Sequence, residues 1–327
     1  MIRPIDRILV TGCAGFIGFH FSKRLLEEGI AVVGVDNIND YYDQTLKFDR
    51  LRLLKKDSNF QFKKGSIENI PFMDGVFAES EFDAVVHLAA QAGVRYSIEN
   101  PYAYVQSNVM GFTTMLECCK NYRINHLLYA SSSSVYGANK KIPFSTHDRV
   151  DHPVSFYAAT KKANEAMAST YSHIYQLPTT GLRFFTVYGP MGRPDMAYYS
   201  FTNKMIKNEP IDLYNNGKMK RDFTYIDDVV ESIYRLLIKG PSNDTPYQLY
   251  NIGNNHPIAL EYFVKLIEEN IGLKAEKNYL PMQPGDVEET YADIDELSQA
   301  IGYQPTTSIE KGIKSFIKWY KEYYKLE

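Results

Sequence analysis

The most informative chemical pair in the sequence is a tyrosine followed four residues later by a lysine. Tyr157 and Lys161 lie in a stretch whose apolar residues recur at helical spacing, so both side chains are expected on one face of a helix. A lysine ammonium near a phenol favours the phenolate and lowers the phenol pKa, which creates a base usable near neutral pH. The pair also occurs on many surface helices, so its meaning depends on the motifs around it.

A run of four serines stands between a short apolar segment and this helix. Ser131 and the three serines after it directly follow residues 127–130, which have the character of a buried strand. Open α/β sheets bind ligands at the carboxyl ends of their strands, so these hydroxyls are candidates for contacts with a substrate. Ordinary loop chemistry is the alternative explanation for serines at this position.

A glycine-rich turn follows the first predicted strand with the spacing G-x-x-G-x-x-G. Gly12 permits the tight turn, Gly15 lets the backbone approach a pyrophosphate, and Gly18 lets the next helix pack on the strand. The N-terminus of that helix then presents unpaired N–H groups to phosphates. Because the turn lies between a strand and a helix, it has the context that a dinucleotide site requires.

An acidic residue ends the second predicted strand. Asp36 stands where a carboxylate can accept both hydroxyls of an adenosine ribose and would repel a 2′-phosphate, which favours NAD over NADP. The next residue is Asn37 and not an arginine, in agreement with NAD. A turn or helix-capping aspartate is the alternative interpretation.

The elements that must position these residues alternate between strand and helix. Such alternation with buried strands predicts an α/β fold with a doubly wound parallel sheet of the Rossmann type over residues 1–188. After residue 188 the pattern breaks into shorter pieces, which predicts a smaller mixed α/β domain over 189–327, with segments of about 222–255 returning to the main sheet. Strands are predicted near 8–11, 31–35, 60–62, 84–87, 127–130 and 180–185, and long helices over about 97–122 and 155–176.

Composition argues against several classes of protein. The 327 residues carry a formal net charge of −3, so charge alone suggests neither a nucleic-acid nor a membrane partner. The three cysteines, Cys13, Cys118 and Cys119, have neither metal-ligand spacing nor a disulfide framework, which predicts a reducing compartment and no metal site. No run is long enough to span a bilayer and no apolar signal core precedes the first strand, so a cytoplasmic protein is expected.

Over nearly its whole length the chain resembles the extended short-chain dehydrogenases/reductases, and specifically the UDP-sugar 4-epimerases. Two segments, RFFTVYGPMGRPDMA at 183–197 and QPGDVEETYAD at 283–293, resemble the UDP-glucuronate 4-epimerases in particular. UDP-galactose 4-epimerases tend to have tyrosine, phenylalanine and asparagine where this chain has Phe184, Phe185 and Thr186. They also tend to have arginine where this chain has Gln283. The wider resemblance rests on TGCAGFIG at 11–18, HLAAQAGVRYS at 87–97, SSSSVYG at 131–137, YAATK at 157–161, RDFTYIDD at 221–228 and QPGD at 283–286.

The resemblance implies a catalytic set and a cofactor. Tyr157 is the expected acid/base, Lys161 is expected to hold the nicotinamide ribose and lower the pKa of Tyr157, and Ser132 is expected to hydrogen-bond O4 of the sugar. One departure is Ser66, which stands where the family usually has an aspartate and is a poorer anchor for the adenine amino group. The cofactor is NAD, and the residues expected to contact it are Gly12, Ala14, Gly15, Phe16, Ile17, Gly18, Asp36, Asn37, Ser66, Ile67, Leu88, Ala89, Ala90, Gln91, Asn108, Ala130, Tyr157, Lys161, Phe184 and Val187.

The resemblance also implies a UDP-sugar as the substrate and a homodimer as the assembly. The family builds its dimer from two long helices of each subunit, here about 97–122 and 155–176. Arg221 would pair with phosphate and Asp286 with ribose hydroxyls. The residues expected to contact the UDP-sugar are Gln91, Arg95, Ser132, Ser133, Ser134, Tyr157, Thr186, Arg193, Arg221 and Asp286.

The implied reaction inverts C4 of a UDP-hexuronic acid, UDP-glucuronate to UDP-galacturonate, through a transient 4-keto sugar. A 4-keto uronate is a β-keto acid and loses CO2 when its carboxyl bond aligns with the carbonyl π system. The neutral hydroxyls of Ser133, Ser134 and Thr186 are expected to hold the carboxylate out of that alignment. The alternative is that these hydroxyls only satisfy the loop backbone.

Competing interpretations differ in the residues beside the catalytic serine. Sugar-nucleotide dehydratases need an Asp-Glu pair there and UDP-glucuronate decarboxylases normally carry a glutamate, whereas this chain has serines only. A redox-sensing regulator with a Rossmann core tends to lose the Tyr or the Lys, and this chain has both. UDP-glucose or UDP-N-acetylglucosamine 4-epimerase is the main alternative.

Overall fold

The computed structural model describes residues 5–241, 246–283 and 287–326. Its largest sheet has seven strands, all paired in parallel, in the order β10-β6-β5-β4-β1-β2-β3. The strands of the described chain are β1 (Arg7–Thr11), β2 (Ala31–Asp36), β3 (Phe60–Lys64), β4 (Ala84–His87), β5 (Leu127–Ser132), β6 (Thr179–Phe184), β7 (Thr186–Tyr188), β8 (Ile211–Leu213), β9 (Lys220–Tyr225), β10 (Tyr247–Ile252), β11 (Pro257–Ala259) and β12 (Lys277–Tyr279).

Helices cover both faces of this sheet, because consecutive residues of its central strands are apolar and buried on opposite faces. Ile8 and Val10 pack into one core cluster, whereas Leu9 between them packs into a second cluster on the opposite face. The predicted doubly wound fold is confirmed. The helices are α1 (Phe16–Glu27), α2 (Thr45–Leu54), α3 (Ile70–Ala78), α4 (Tyr96–Glu99), α5 (Pro101–Tyr104), α6 (Gly111–Asn121), α7 (Phe156–Tyr175), α8 (Ala197–Ile206), α9 (Ile226–Lys239), α10 (Leu260–Ile271), α11 (Asp295–Ile301) and α12 (Ile309–Tyr324).

Strand order reverses at β1, which pairs with β2 on one side and with β4 on the other. At such a switch point the loops leaving the carboxyl ends of the two strands diverge and leave a crevice for a ligand. Thr11 and His87 end the two strands side by side, and the Thr11 hydroxyl lies 2.8 Å from His87 Nδ1. The topology therefore places the ligand site just beyond these two residues.

The prediction of one continuous helix over about 97–122 is wrong. The structure divides this segment into α4, α5, a π-helix (Val105–Met110) and α6. The break falls at Asn100, because a residue before proline avoids the helical region, and Asn100 has φ −135° and ψ 72°. Its side chain instead caps α5 by accepting the N–H of Ala103 at 3.3 Å. The second predicted long helix is present as α7, capped by Ser155.

The second half of the chain builds two small sheets and returns once to the large sheet. Strands β11, β9 and β7 form a three-stranded sheet, and β12 pairs with β8. Among the described residues of 222–255, β10 alone joins the main sheet, parallel to β6, whereas β9 belongs to the three-stranded sheet. The domain boundary at residues 188 and 189 stays a prediction. Within the described ranges the helices are all too short or too polar to cross a membrane.

Candidate active site

One large cavity, of about 830 Å³, opens at the carboxyl edge of the main sheet. It brings together most of the residues singled out from the sequence. Three of those residues, Ala14, Ser66 and Asn108, do not line the cavity formed by the described residues and lie behind its wall. Asp286 lies outside the described residues. The predicted residues that line the cavity are Gly12, Gly15, Phe16, Ile17, Gly18, Asp36, Asn37, Ile67, Leu88, Ala89, Ala90, Gln91, Arg95, Ala130, Ser132, Ser133, Ser134, Tyr157, Lys161, Phe184, Thr186, Val187, Arg193 and Arg221.

The glycine loop has the close contacts that its spacing predicts. Gly12 has φ +74°, and a Cβ there would lie 2.7 Å from the backbone nitrogen of Ala89. A Cβ at Gly18 would lie 2.0 Å from the carbonyl oxygen of Gly12, so only glycine lets the helix approach the strand. Among the described residues no side chain caps the N-terminus of α1. Its first N–H groups are therefore available to an anion in the cavity.

Asp36 is fixed at the end of β2 by two backbone groups. Its Oδ1 accepts the N–H of Ile38 at 2.8 Å and its Oδ2 accepts the N–H of Ala14 at 3.1 Å. Burial raises the pKa of Asp36, and these hydrogen bonds oppose that effect. The carboxylate retains further lone pairs toward the cavity, which suits ribose hydroxyls. Ser66 lies behind Asn37 and accepts a hydrogen bond from its amide at 3.3 Å, so an adenine contact from Ser66 is not supported.

Tyr157 and Lys161 are both brought to the cavity by α7, four residues apart. The Lys161 ammonium donates to the carbonyl oxygen of Ala130 at 2.8 Å. Burial lowers the pKa of Lys161 to about 8, with Glu165 opposing the shift. Burial also raises the pKa of Tyr157, although a hydrogen bond with Ser132 acts to lower it. The lowering of the Tyr157 pKa by Lys161 stays a prediction, because the shifts resolved for the phenol come from burial, Ser132 and Arg193.

Asn108, in the π-helix, ties the loop after β4 to α7. Its side-chain amide donates to the carbonyl of Gln91 at 3.0 Å and to the hydroxyl of Thr160 at 3.1 Å, and its side-chain oxygen accepts the N–H of Gln91 at 2.8 Å. Thr160 lies between Tyr157 and Lys161 on α7. Asn108 therefore positions both walls of the cavity from behind, and π-helical turns are frequent at such functional positions.

A buried ion pair supports the carboxyl end of β5. Glu165, one turn after Lys161, accepts from Arg183 Nε at 2.8 Å and Nη2 at 2.9 Å, and from the hydroxyl of Ser131 at 2.7 Å. Both side chains of the pair are 2% exposed, and removing one partner alone would leave an uncompensated buried charge. The pair joins α7, β5 and β6 directly beneath Ser132.

The hydroxyl groups around Ser132 divide into bonded and available ones. Ser132 Oγ accepts the N–H of Ser134 at 3.2 Å and donates to the Ser134 hydroxyl at 3.2 Å. The hydroxyls of Ser133 and Thr186 donate to no acceptor within the described residues, although both line the cavity. Hydrogen bonds within the loop therefore occupy Ser132 and Ser134, whereas Ser133 and Thr186 can donate to a ligand.

Basic side chains lie at the end of the cavity formed by the second half of the chain. Arg193 Nε donates to Asp195 Oδ1 at 3.0 Å, and the hydroxyl of Tyr41 donates to Asp195 Oδ2 at 3.3 Å. The guanidinium of Arg95 stacks 4.9 Å above the ring of Tyr214. Arg221 Nη1 donates to the backbone carbonyls of residues 220 and 288 at 2.9 and 3.0 Å. Cations and an aromatic ring together suit a nucleotide.

A second group of cavity residues, on the segment after β2, was not predicted from the sequence. Lys47, on α2, donates to the backbone carbonyl of Asn39 at 2.6 Å and is 5% exposed. Tyr41, Tyr42 and Lys47 line the cavity on the same side as Asp36. No local signal marks these residues, because Lys47 stands on a helix of ten residues that also carries Arg50 and Arg52, and basic side chains on a short helix are usually exposed.

Comparison with known proteins places the chain in a family. Residues 9–316 match the family model described as GDP-mannose 4,6 dehydratase. CapI of Staphylococcus aureus is 54% identical over 333 residues, which covers 98% of this chain and 99% of CapI. UDP-glucuronate 4-epimerase 4 of Arabidopsis thaliana is 46% identical over 331 residues, covering 97% of this chain and 76% of the plant protein.

A solved structure agrees over the same length. UDP-glucuronic acid 4-epimerase from Bacillus cereus, in complex with UDP-glucuronic acid and NAD, superimposes with a TM-score of 0.90 at 34% identity, covering 97% of this chain and 100% of that one. The match includes both the strand–helix core and the small sheets of the second half. The chain therefore belongs to the extended short-chain dehydrogenase/reductase family that the GDP-mannose 4,6 dehydratase model describes.

Proposed function

We propose that this chain is an NAD-dependent 4-epimerase that converts UDP-glucuronate to UDP-galacturonate. The observation that carries the proposal is the continuity of one cavity, which joins the glycine loop and Asp36 to Tyr157, Lys161 and the hydroxyls around Ser132. Relatives at 46% identity are named UDP-glucuronate 4-epimerase, and the Bacillus cereus neighbour binds UDP-glucuronic acid and NAD. The predicted reaction class and cofactor are thereby confirmed at the level of the family.

The residues of the first half fit NAD. The uncapped N-terminus of α1 suits the pyrophosphate, and the close approach at Gly12 leaves backbone and no side chain in contact with it. Asp36 suits the adenosine ribose and disfavours a 2′-phosphate. When bound, NAD supplies the acceptor for the C4 hydride and returns that hydride to the opposite face of the sugar.

Tyr157 moves the proton at the sugar's O4. Its phenol accepts the O4 proton as C4 is oxidised and returns the proton when C4 is reduced. Ser132, whose hydrogen bond acts to lower the pKa of Tyr157, orients both the phenol and O4. Lys161 is anchored by its hydrogen bond to the carbonyl of Ala130 at the end of β5, and its ammonium keeps further donors for ribose hydroxyls.

Holding the sugar's carboxylate is the task of Ser133 and Thr186. Both line the cavity next to Ser132, and both have hydroxyls with unused donor capacity toward the described residues. Hydroxyl donors on the carboxylate hold it in one orientation, out of line with the carbonyl π system, and this restraint opposes loss of CO2. Ser134, which is bonded to Ser132, contributes less to this grip.

The nucleotide must carry most of the binding energy, because the 4-keto sugar has to turn over within the site. Arg95, Arg193 and Arg221 line the half of the cavity that the small sheets form, and they are the proposed contacts of the UDP group. Asp286 as a ribose contact stays a prediction, since it lies outside the described residues.

We further propose a homodimer built on the two predicted segments, about 97–122, which holds α4, α5, the π-helix and α6, and about 155–176, which holds α7. These neighbouring helices expose large apolar side chains, with Tyr102 83% and Ile98 64% exposed, and Ile174 and Tyr175 exposed on α7. Sedimentation of the wild-type protein should give a dimer, and Tyr102→Glu should shift it toward monomer. Sedimentation as a monomer at every concentration would contradict this assembly.

The buried free thiols of all three cysteines support a reducing, cytoplasmic setting.

The substrate is tested by offering three sugar nucleotides separately. Purified protein is incubated with UDP-glucuronate, UDP-glucose and UDP-N-acetylglucosamine, and the products are identified by NMR. We expect UDP-galacturonate from the first and a much lower kcat/KM on the other two. Comparable or higher kcat/KM on UDP-glucose would favour a neutral-hexose epimerase, and Tyr157→Phe serves as the catalytically impaired control.

A further inference from the structure

A fully buried arginine stands where three cavity-lining loops meet. Arg50, on α2, has no exposed surface, and its guanidinium lies behind the cavity wall. The reaction proposed above gives it no task. Within the described residues no carboxylate lies within 4 Å of it, so its charge has no partner in direct contact there.

Every N–H of this guanidinium has a neutral acceptor. Nη1 donates to the carbonyl of Ala14 in the glycine loop and to the hydroxyl of Tyr42, both at 2.8 Å. Nη2 donates to the carbonyls of Met191 at 2.7 Å and Gly192 at 3.0 Å, and Nε donates to Met191 at 3.2 Å. One planar group thereby joins the dinucleotide loop to the loop that leads into Arg193.

The loop before Arg193 has a backbone that needs such support. Met191 has φ +54°, in the left-handed region that residues with a side chain rarely adopt. His20, on α1, holds the neighbouring carbonyl of Pro190 at 2.9 Å, and because a carbonyl only accepts, the ring donates. Burial lowers the pKa of His20 to about 3, so this hydrogen bond is made by a neutral ring across the physiological range.

Ala14 transmits the link on the dinucleotide side. Its N–H donates to the Asp36 carboxylate, which would receive the adenosine ribose. Its carbonyl accepts from the Arg50 guanidinium, which holds the loop before Arg193. Both groups therefore bind the same residue. Arg50 acts to lower the pKa of Asp36, so this carboxylate already offsets part of the buried charge. A dinucleotide held by Asp36 and by the N-terminus of α1 would keep Ala14 in the same place. A bound dinucleotide therefore favours the arrangement in which this network is closed.

We propose that Arg50 is a positioning residue that couples the two halves of the cavity: it fixes the backbone before Arg193 against the glycine loop, so that bound dinucleotide tightens binding of the sugar nucleotide. This inference rests on the proposed function, which gives Arg193 a contact with the substrate. By linkage the sugar nucleotide tightens the dinucleotide to the same extent. Lysine cannot replace Arg50 in this role, since a single ammonium cannot reach acceptors on opposite sides as the planar fork does.

The test measures how NAD changes the affinity for UDP-glucuronate. Turnover is blocked by Tyr157→Phe, and calorimetry gives the Kd of UDP-glucuronate with and without NAD. Arg50→Lys should weaken binding to the NAD-loaded protein about tenfold, within the usual range of coupling between sites, and should bring the two Kd values together. Arg52→Lys, an exposed change on the same helix, is the matched control and should alter neither value.

A double-mutant cycle separates positioning from general damage. Arg193→Ala should weaken UDP-glucuronate binding, and adding Arg50→Lys to it should weaken binding no further, because the second change acts through the first residue. Additive losses, or an unchanged NAD effect in Arg50→Lys, would overturn the coupling. If Arg193→Ala itself has no effect, the proposed substrate contact of Arg193 is wrong, and the NAD dependence in Arg50→Lys then decides the coupling alone.

If Arg50→Lys does not fold, hydrogen exchange on the protein that retains Arg50 tests the coupling. Adding NAD should slow exchange in the glycine loop and also in residues 189–195, the loop that Arg50 holds. Slowing confined to residues 12–18 would overturn the coupling.

Discussion

Replacing Lys161 with methionine should abolish epimerisation and at the same time change how stability depends on pH. The ammonium is buried, and burial lowers its pKa from the usual 10.5 to about 8. Each pKa unit corresponds to about 1.4 kcal/mol, so keeping this lysine charged costs the folded state about 3 kcal/mol at pH below 8. A methionine of similar length carries no such cost.

The direction of the pH dependence follows from which state binds the proton. Between about pH 8 and 10.5 the unfolded chain keeps Lys161 protonated while the folded chain does not, so the free energy of unfolding rises with pH in this window. From pH 7.5 to 9.5 the contribution of Lys161 to stability should increase by roughly 2 kcal/mol. Other groups titrate there too, so only the difference between wild type and Lys161→Met isolates this lysine.

The assay is urea unfolding of cofactor-free protein at pH 7.5 and 9.5, for wild type, Lys161→Met and Lys162→Met. Lys162 is the adjacent lysine outside the cavity wall and serves as the matched control. The stability advantage of Lys161→Met over wild type should shrink by roughly 2 kcal/mol between the two pH values. An advantage that is the same at both pH values would show that Lys161 is not desolvated in the cofactor-free protein.

Three further changes probe the site. The protein should purify with NAD, and Asp36→Ala should weaken NAD about tenfold or more through loss of charge-assisted hydrogen bonds; release of NADP, or unchanged retention, would contradict the role of Asp36. Tyr157→Phe should lower turnover at least about a hundredfold with little effect on the melting temperature, and a near-native rate would remove Tyr157 from the mechanism. Thr186→Val should slow epimerisation and release a UDP-4-keto-pentose with NADH left on the enzyme, detectable by mass spectrometry and NADH absorbance. Normal epimerisation without pentose in both Thr186→Val and the Thr186→Val/Ser133→Ala double variant would place the carboxylate contact elsewhere.

The parts of the site that the sequence predicts are those encoded by short spacing. Gly12 and Gly18 meet because a strand, a turn and a helix follow each other directly, and Tyr157 and Lys161 share a helix face because they stand four apart. Such features depend on local geometry, which the order of residue types largely determines. The alternating core of β1 is predictable for the same reason.

The parts that escaped prediction depend on contacts between distant segments. Arg50 reads as one more basic residue on a short helix, and its role emerges only from Met191, which is 141 positions away in sequence. Asn108 was expected to contact the cofactor, yet its three hydrogen bonds to Gln91 and Thr160 place it behind the wall. No local pattern distinguishes a polar side chain that faces a ligand from one that braces the residues that do.

One edge strand of the large sheet, β10, lies in sequence between β9 and β11 of the three-stranded sheet, and it pairs with β6 along its whole length. A fragment ending near residue 188 would lose this strand and leave β6 with an open row of backbone donors and acceptors, a template for aggregation. The same truncation would divide an apolar core that runs continuously from Ile8 to Tyr320. The cofactor-binding and substrate-binding parts are therefore not separable modules. They should melt in a single cooperative transition, and destabilising changes in the last third of the chain should release the cofactor as readily as changes beside it.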